Sequence, residues 1–181
     1  TNLSTDAAAR GAKLGLDEAY RFARGEQVVS SSGLPVRLDL PLDFLVTADH
    51  SDGMGFFALL KEGHPSVMQF DVGRRWHDML KSGKGGAVAK ELISGFAQGT
   101  LPWKTNDVEL MMPVWRQVVD AAEQHNDPGR FTAFIGYEWT SLVRGNNLHR
   151  VVIYRDGTAR TRDIMPYPLA DSADPEDLWR Y

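Results

Sequence analysis

The chain is 181 residues long, 43% apolar and 24% charged, the makeup of one ordinary globular domain, which excludes disordered and fibrous classes. Its 20 Lys and Arg stand against 24 Asp and Glu, a net charge of -4, so no basic field exists to hold a nucleic-acid backbone. With no cysteine, disulfide frameworks and thiolate metal sites are excluded, and a metal site must use His, Asp, Glu and water.

Residues 1–10 lack the charged-then-apolar order of a signal peptide, and no apolar run reaches the roughly 18 residues of a membrane span. Residues 16–24 predict a short helix stopped by Gly25. Ser30-Ser31-Ser32-Gly33 predicts a loop, and residues 35–40 an edge strand ended by Pro41. Residues 42–48, mostly apolar and rich in β-formers, predict a buried strand that runs straight into Asp49-His50-Ser51-Asp52-Gly53. Residues 54–60 and 74–81 predict helices, 82–86 a flexible joint, and 87–97 a small-residue helix. Residues 107–125 predict a longer amphipathic helix, kinked or restarted at Pro113, whose stripe Leu110, Val114, Val118 and Ala121 is core packing. Beyond the stop signal Asn126-Asp127-Pro128-Gly129, residues 131–137 and 149–154 predict two further strands. Asp174-Pro175 opens a last helix with proline in its first turn. Strands separated by helical stretches mark an α/β protein.

Working residues in α/β folds gather where strands end and loops begin. Asp49-His50 follows one predicted strand at once, Glu138 follows another, and His149 opens a third. If the last two strands form a hairpin turning near residues 143–144, Glu138 and His149 lie nearly opposite each other, with His50 arriving from a neighbouring strand. Two imidazoles and a bridging carboxylate are adequate parts for a metal site. Each residue alone has an ordinary reading: a hydrogen-bonded Asp-His loop, a water-facing Glu, a satisfied His. Their joint placement at strand ends is what favours ligation. His64, His77 and His125 keep the ordinary reading, as a loop residue, a helix residue and a helix C-terminal cation. Phosphate loops, serine elbows and cysteine nucleophiles are absent.

Thr47-Ala48-Asp49-His50 resembles the Thr-Asp-His element of the PHP (polymerase and histidinol phosphatase) superfamily of metal-dependent hydrolases. Gly136-Tyr137-Glu138-Trp139, with the run from Asn147 to Tyr154, resembles its later Gly-x-Glu…His element. The segments from Glu18 to Glu26, from Pro41 to Leu45 and from Asp174 to Trp179 resemble the DUF3604 family, a PHP-like group of bacterial proteins. The resemblance implies a distorted (β/α) barrel of which residues 1–181 are one domain, incomplete at both ends. Residues 63–103 would be a helical insertion that shapes the pocket or contacts a partner. The family's His-x-His-Thr element would fall just upstream of Thr1, and further His and Asp ligands beyond Trp179, so the chain holds a fraction of the metal set.

Carried over residue by residue, the resemblance makes Asp6, His50, Glu138 and His149 metal ligands, with Glu138 bridging two ions. Asp49 becomes the catalytic candidate that orients His50 or a bound water, and Arg144, Asn147 and Arg150 become substrate contacts. It implies zinc, manganese or iron at a two- or three-metal site, and hydrolysis by a metal-activated water, of a phosphoester first. A carbon–nitrogen or carbon–oxygen hydrolase of amidohydrolase type, or an inactive PHP-like scaffold, are the alternatives. The expected partner is a small-molecule substrate, with no nucleic acid and no membrane span, and a homo-oligomer would cover exposed sheet edges. The compartment, bacterial cytoplasm or periplasm, stays open.

Overall fold

The structure, a computed structural model, describes residues 1–102 and 107–181. In chain order the elements are α1 (Thr5–Ala9), α2 (Leu16–Ala23), β1 (Val28–Val29), β2 (Pro35–Val36), β3 (Phe44–Val46), α3 (Phe56–Glu62), α4 (Pro65–Met68), α5 (Asp71–Lys81), α6 (Gly85–Gln98) and α7 (Val108–His125). There follow β4 (Thr132–Phe134), β5 (Gly136–Ser141), a 3-10 turn (Val143–Gly145), β6 (Leu148–Ile153), α8 (Thr158–Thr161) and α9 (Pro175–Arg180). The content is mixed α/β, as expected. Among the described residues the sheets are small, two-stranded ladders, and no closed barrel forms. No described helix is long and apolar enough to cross a membrane.

Local chemistry explains where α2 starts and stops. The Glu18 carboxylate accepts the Gly15 N–H at 2.9 Å, which satisfies one orphan donor of α2. The helix ends at Gly25, whose φ of +79° is glycine territory and whose added Cβ would stand 2.9 Å from Pro41. The long helix α7 passes through Pro113 in one piece. The proline sits near its N-terminal end, where the carbonyl it orphans belongs to exposed Glu109 and can be solvated. The buried face of α7 is Met111, Trp115, Val118, Val119 and Ala122. The expected stripe flanks this face, with only Val118 fully inside it.

The strands differ more from expectation. Of the runs predicted at 35–40 and 42–48, only Pro35–Val36 and Phe44–Val46 are laddered, and Phe44 is exposed. Residues 82–86 are not all joint, because Gly85 and Gly86 already open α6. The predicted strand 131–137 is split in two, because the chain changes partner at Ile135. β4 runs parallel to β3, whereas β5 runs antiparallel to β6. Gly136 sits at the switch, where a Cβ would lie 2.4 Å from the Val152 carbonyl oxygen. Only glycine allows that approach.

Two hydrophobic clusters carry the packing. One joins α2, α7 and the inner face of β4–β5 around Tyr20, Trp115, Tyr137 and Trp139. The other lies among α3 to α6, around Phe57, Leu60, Trp76 and Leu92. It occupies most of the stretch expected as an insertion, whose last residue, Trp103, lies outside the described residues. The helix α1 packs against α6, so the second cluster is carried to the edge of the strand ends.

Candidate metal centre

Strand geometry brings three side chains together. The extended chain after β3 remains parallel to β5, because the bridge between His50 and Glu138 continues the register that pairs Phe44 with Thr132. The Glu138 N–H donates to the Asp49 carbonyl and the Ser51 N–H to the Glu138 carbonyl, both at 2.9 Å. On β5, Glu138 and Thr140 share a face because side chains alternate along a strand. His149 of β6 stands directly across from Thr140 and therefore diagonally from Glu138. The hairpin expected near residues 143–144 turns at Val143–Gly145, where Arg144 adopts φ 55°.

The result is a cluster with one carboxylate oxygen for each imidazole. His50 Nδ1 lies 3.5 Å from Glu138 Oε2, and His149 Nδ1 lies 3.3 Å from Glu138 Oε1. The Thr140 hydroxyl lies 3.0 Å from His50 Nδ1 and 3.1 Å from His149 Nδ1. It can donate to one ring while accepting from the N–H of the other, which orients both rings while no ion occupies their Nδ1 atoms. His50, Glu138 and His149 offer ligand atoms all within 4.8 Å of one another, a geometry compatible with a metal ion. Donors bound at about 2.0–2.2 Å around a tetrahedral ion stand roughly 3.3–3.6 Å apart. The two Glu138 separations match that spacing and are longer than good hydrogen bonds. The cluster is therefore compatible with an ion as well as with ion pairs of protonated imidazoles.

Asp6 stands at the rim of this cluster. Its Oδ1 is 3.9 Å from His50 Nε2 and its Oδ2 is 3.6 Å from an Arg10 guanidinium nitrogen. Burial works against its charge, but the Ser4 hydroxyl, His50, the Ala7 N–H and Arg10 outweigh it and hold the carboxyl below its usual value. Asp49 is elsewhere occupied: its buried carboxylate accepts from the Thr1 hydroxyl at 2.7 Å. Asp49 meets the cluster through its backbone carbonyl on Glu138 rather than through its side chain. Asn147 lines the same cleft as His50 and His149. Arg144 is exposed on the hairpin turn, and Arg150 lies on the strand face opposite His149, donating to the His149 carbonyl at 2.8 Å.

The remaining histidines have structural work. His64 caps α4, His77 lies 2.6 Å from the Leu60 carbonyl, and His125 sits 3.0 Å from Asp17 while stacking on Tyr20.

Two residues of the site were not singled out by sequence. Thr140 could have been found from its place two residues after Glu138, on the same strand face. Asp52 gave a fainter signal as the second acid of Asp49-His50-Ser51-Asp52. It is buried on the cleft wall, accepts the Leu169 N–H at 2.9 Å, and leaves Oδ2 without a hydrogen-bond partner among the described residues. Burial, opposed in part by the Leu169 N–H and reinforced by Asp171, pushes its carboxyl up to about 7.

That shift sets a pH dependence. A carboxyl raised on folding favours the protonated native state, so its contribution is complete below the ordinary value of 3.8 and is lost as pH rises through about 7. The loss over this window is on the order of 2–4 kcal/mol. In chelator-treated protein, Asp52→Asn is expected to remove about 2 kcal/mol or more of the stability difference between about pH 5 and about pH 8, as measured by urea unfolding. The same difference in wild type and variant would contradict it.

The structure thus gives a mixed α/β protein with a His/Glu/His cluster whose geometry is compatible with a metal ion. The chain belongs to the family described as "Protein of unknown function (DUF3604)", which it matches over residues 1–181. No curated protein and no solved structure matches it significantly.

Proposed function

We propose that the chain carries the metal-binding part of a divalent-metal-dependent hydrolase, with phosphoesters as the first substrate class. The observation that carries this reading is the Glu138 carboxylate, placed 3.5 and 3.3 Å from two imidazole nitrogens with one oxygen for each. A His/Glu/His donor set suits zinc, manganese or iron. When bound, such an ion would activate water and neutralise charge on the reacting group. The parallel course of β3 beside β4 and β5, with helices around it, suits one sector of a PHP-like distorted barrel.

In this reading His50, Glu138 and His149 hold the ion, Thr140 orients both rings before the ion takes their nitrogens, and Asp6 adds a carboxylate at the rim. Asp49 acts by position, tying the strand of His50 to that of Glu138. Arg10 and Asn147, both on the cleft wall, face an incoming anion, and guanidinium pairs well with phosphoryl oxygens. Hydrolysis forms one P–O bond from water and breaks the P–O bond to the alcohol, which leaves with a proton.

The test is turnover of p-nitrophenyl phosphate by the full chain with and without manganese or zinc. Metal-dependent release of nitrophenol that fails in His149→Ala is the expected result. Stoichiometric metal without turnover of phosphoesters would turn the assignment toward amide or lactone hydrolysis or an inactive scaffold. No metal retention would end it.

A further inference from the structure

The cleft beside the metal cluster has a volume of about 270 Å³, which is small for a ligand site and fits roughly one ring with an anionic group. Its wall has two chemically distinct parts. Asp6, Arg10, Asp52, Asn147 and the two histidines are among its polar lining, and Ile93, Phe96, Leu142 and Leu169 are its apolar lining, called the lobe below.

The lobe is built by parts of the chain far from the ligand strands. Ile93 and Phe96 stand one turn apart on α6, so they share a face of that helix. Phe96 reaches the ligand-bearing turn: a Cβ on Gly53 would lie 3.2 Å from its ring. Gly53 is three residues after His50 and has φ +69°. The ring therefore sits against the turn that presents His50. Ile93 is 42% exposed although apolar, which leaves an uncovered hydrocarbon surface beside a charged site. Leu142 extends the lobe from the hairpin and Leu169 from the segment fixed by Asp52. A purely hydrophilic substrate would leave this surface wet and unused, whereas an organic group would bury it.

Given the metal-dependent reading above, we propose that the lobe of Ile93, Phe96, Leu142 and Leu169 receives the alcohol side of the ester. The substrates are then monoesters of aryl or branched aliphatic alcohols, with the anion on Arg10, Asn147 and the metal cluster. The lobe sets specificity and touches only the group that leaves.

Binding of two non-hydrolysable probes, phenylphosphonate and methylphosphonate, to the manganese-saturated full chain by calorimetry is the test. The expected preference for phenylphosphonate is roughly tenfold (about 1.4 kcal/mol). In Ile93→Ser, at an exposed position that should leave folding intact, and in Phe96→Leu, which keeps an apolar filler, the ratio is expected to fall below about threefold. Equal affinities in the wild type, with manganese bound, overturn the lobe and leave the phosphoester reading standing. A preference that survives both substitutions also overturns the lobe, because the ring is then recognised elsewhere. Failure of the manganese-loaded chain to bind either phosphonate overturns both.

Discussion

Glu138→Gln is expected to lower the affinity of the chain for zinc or manganese by more than about 100-fold while leaving the fold in place. Outer partners of metal ligands are already worth roughly 10–100-fold, and Glu138 is the carboxylate that faces both imidazoles. Glutamine keeps the shape and one acceptor but removes the charge and the second oxygen. The β5–β6 and His50 pairings of Glu138 use its backbone, so they survive the exchange. Competition against a zinc indicator dye, with circular dichroism for folding, measures both parts. His50→Ala serves as the parallel loss of an imidazole donor, and unchanged affinity in both variants would remove the triad from consideration.

Trp115→Ala carries the largest expected loss of stability, about 3–5 kcal/mol. The indole is fully buried on α7 and meets Tyr137 edge-on with ring centroids 6.0 Å apart, and Tyr154 at the same separation. Its Nε1 donates to the Thr161 carbonyl at 2.9 Å, so truncation also removes one of the two donors to that buried carbonyl, which keeps the Ile164 N–H at 3.1 Å. Tyr137 precedes Glu138 on β5 and faces the other side of the strand. A cavity behind it loosens the strand that presents the carboxylate. Urea unfolding of Trp115→Ala and of the milder Trp115→Phe measures the loss, and a change under about 1 kcal/mol for alanine would contradict this account of the core.

The strand ends were legible because the chemistry is local there. An apolar run that stops at Asp49-His50, and another that reaches Glu138, mark the ends of extended segments whatever they pair with. The hairpin was legible for a similar reason: the loop between Thr140 and His149 is short and rich in turn residues, so the two strands can only fold back on each other. Which residue stands opposite His149 depends on one register step. The diagonal relation to Glu138, with Thr140 directly across, followed from that step.

The rest depends on partners distant in sequence. The break at Ile135 between β4 and β5 has no local mark except Gly136, because a strand pattern does not state whether its neighbour is parallel or antiparallel. Asp52 is buried because residues near Leu169 close over it, more than a hundred positions away. Phe96 belongs, on composition, to a small-residue helix, and its place over Gly53 arises from the packing of α6 on α1. Phe44 opens β3 and is exposed, which an apolar run read locally does not distinguish from a buried position.

Crystals of the manganese- or zinc-loaded chain, with diffraction recorded at the metal edge, test the central claim most directly. The account predicts an anomalous peak about 2.0–2.3 Å from a ring nitrogen of His50, a ring nitrogen of His149 and an oxygen of Glu138. A fully occupied peak away from all three residues, or none at saturating metal, would contradict it.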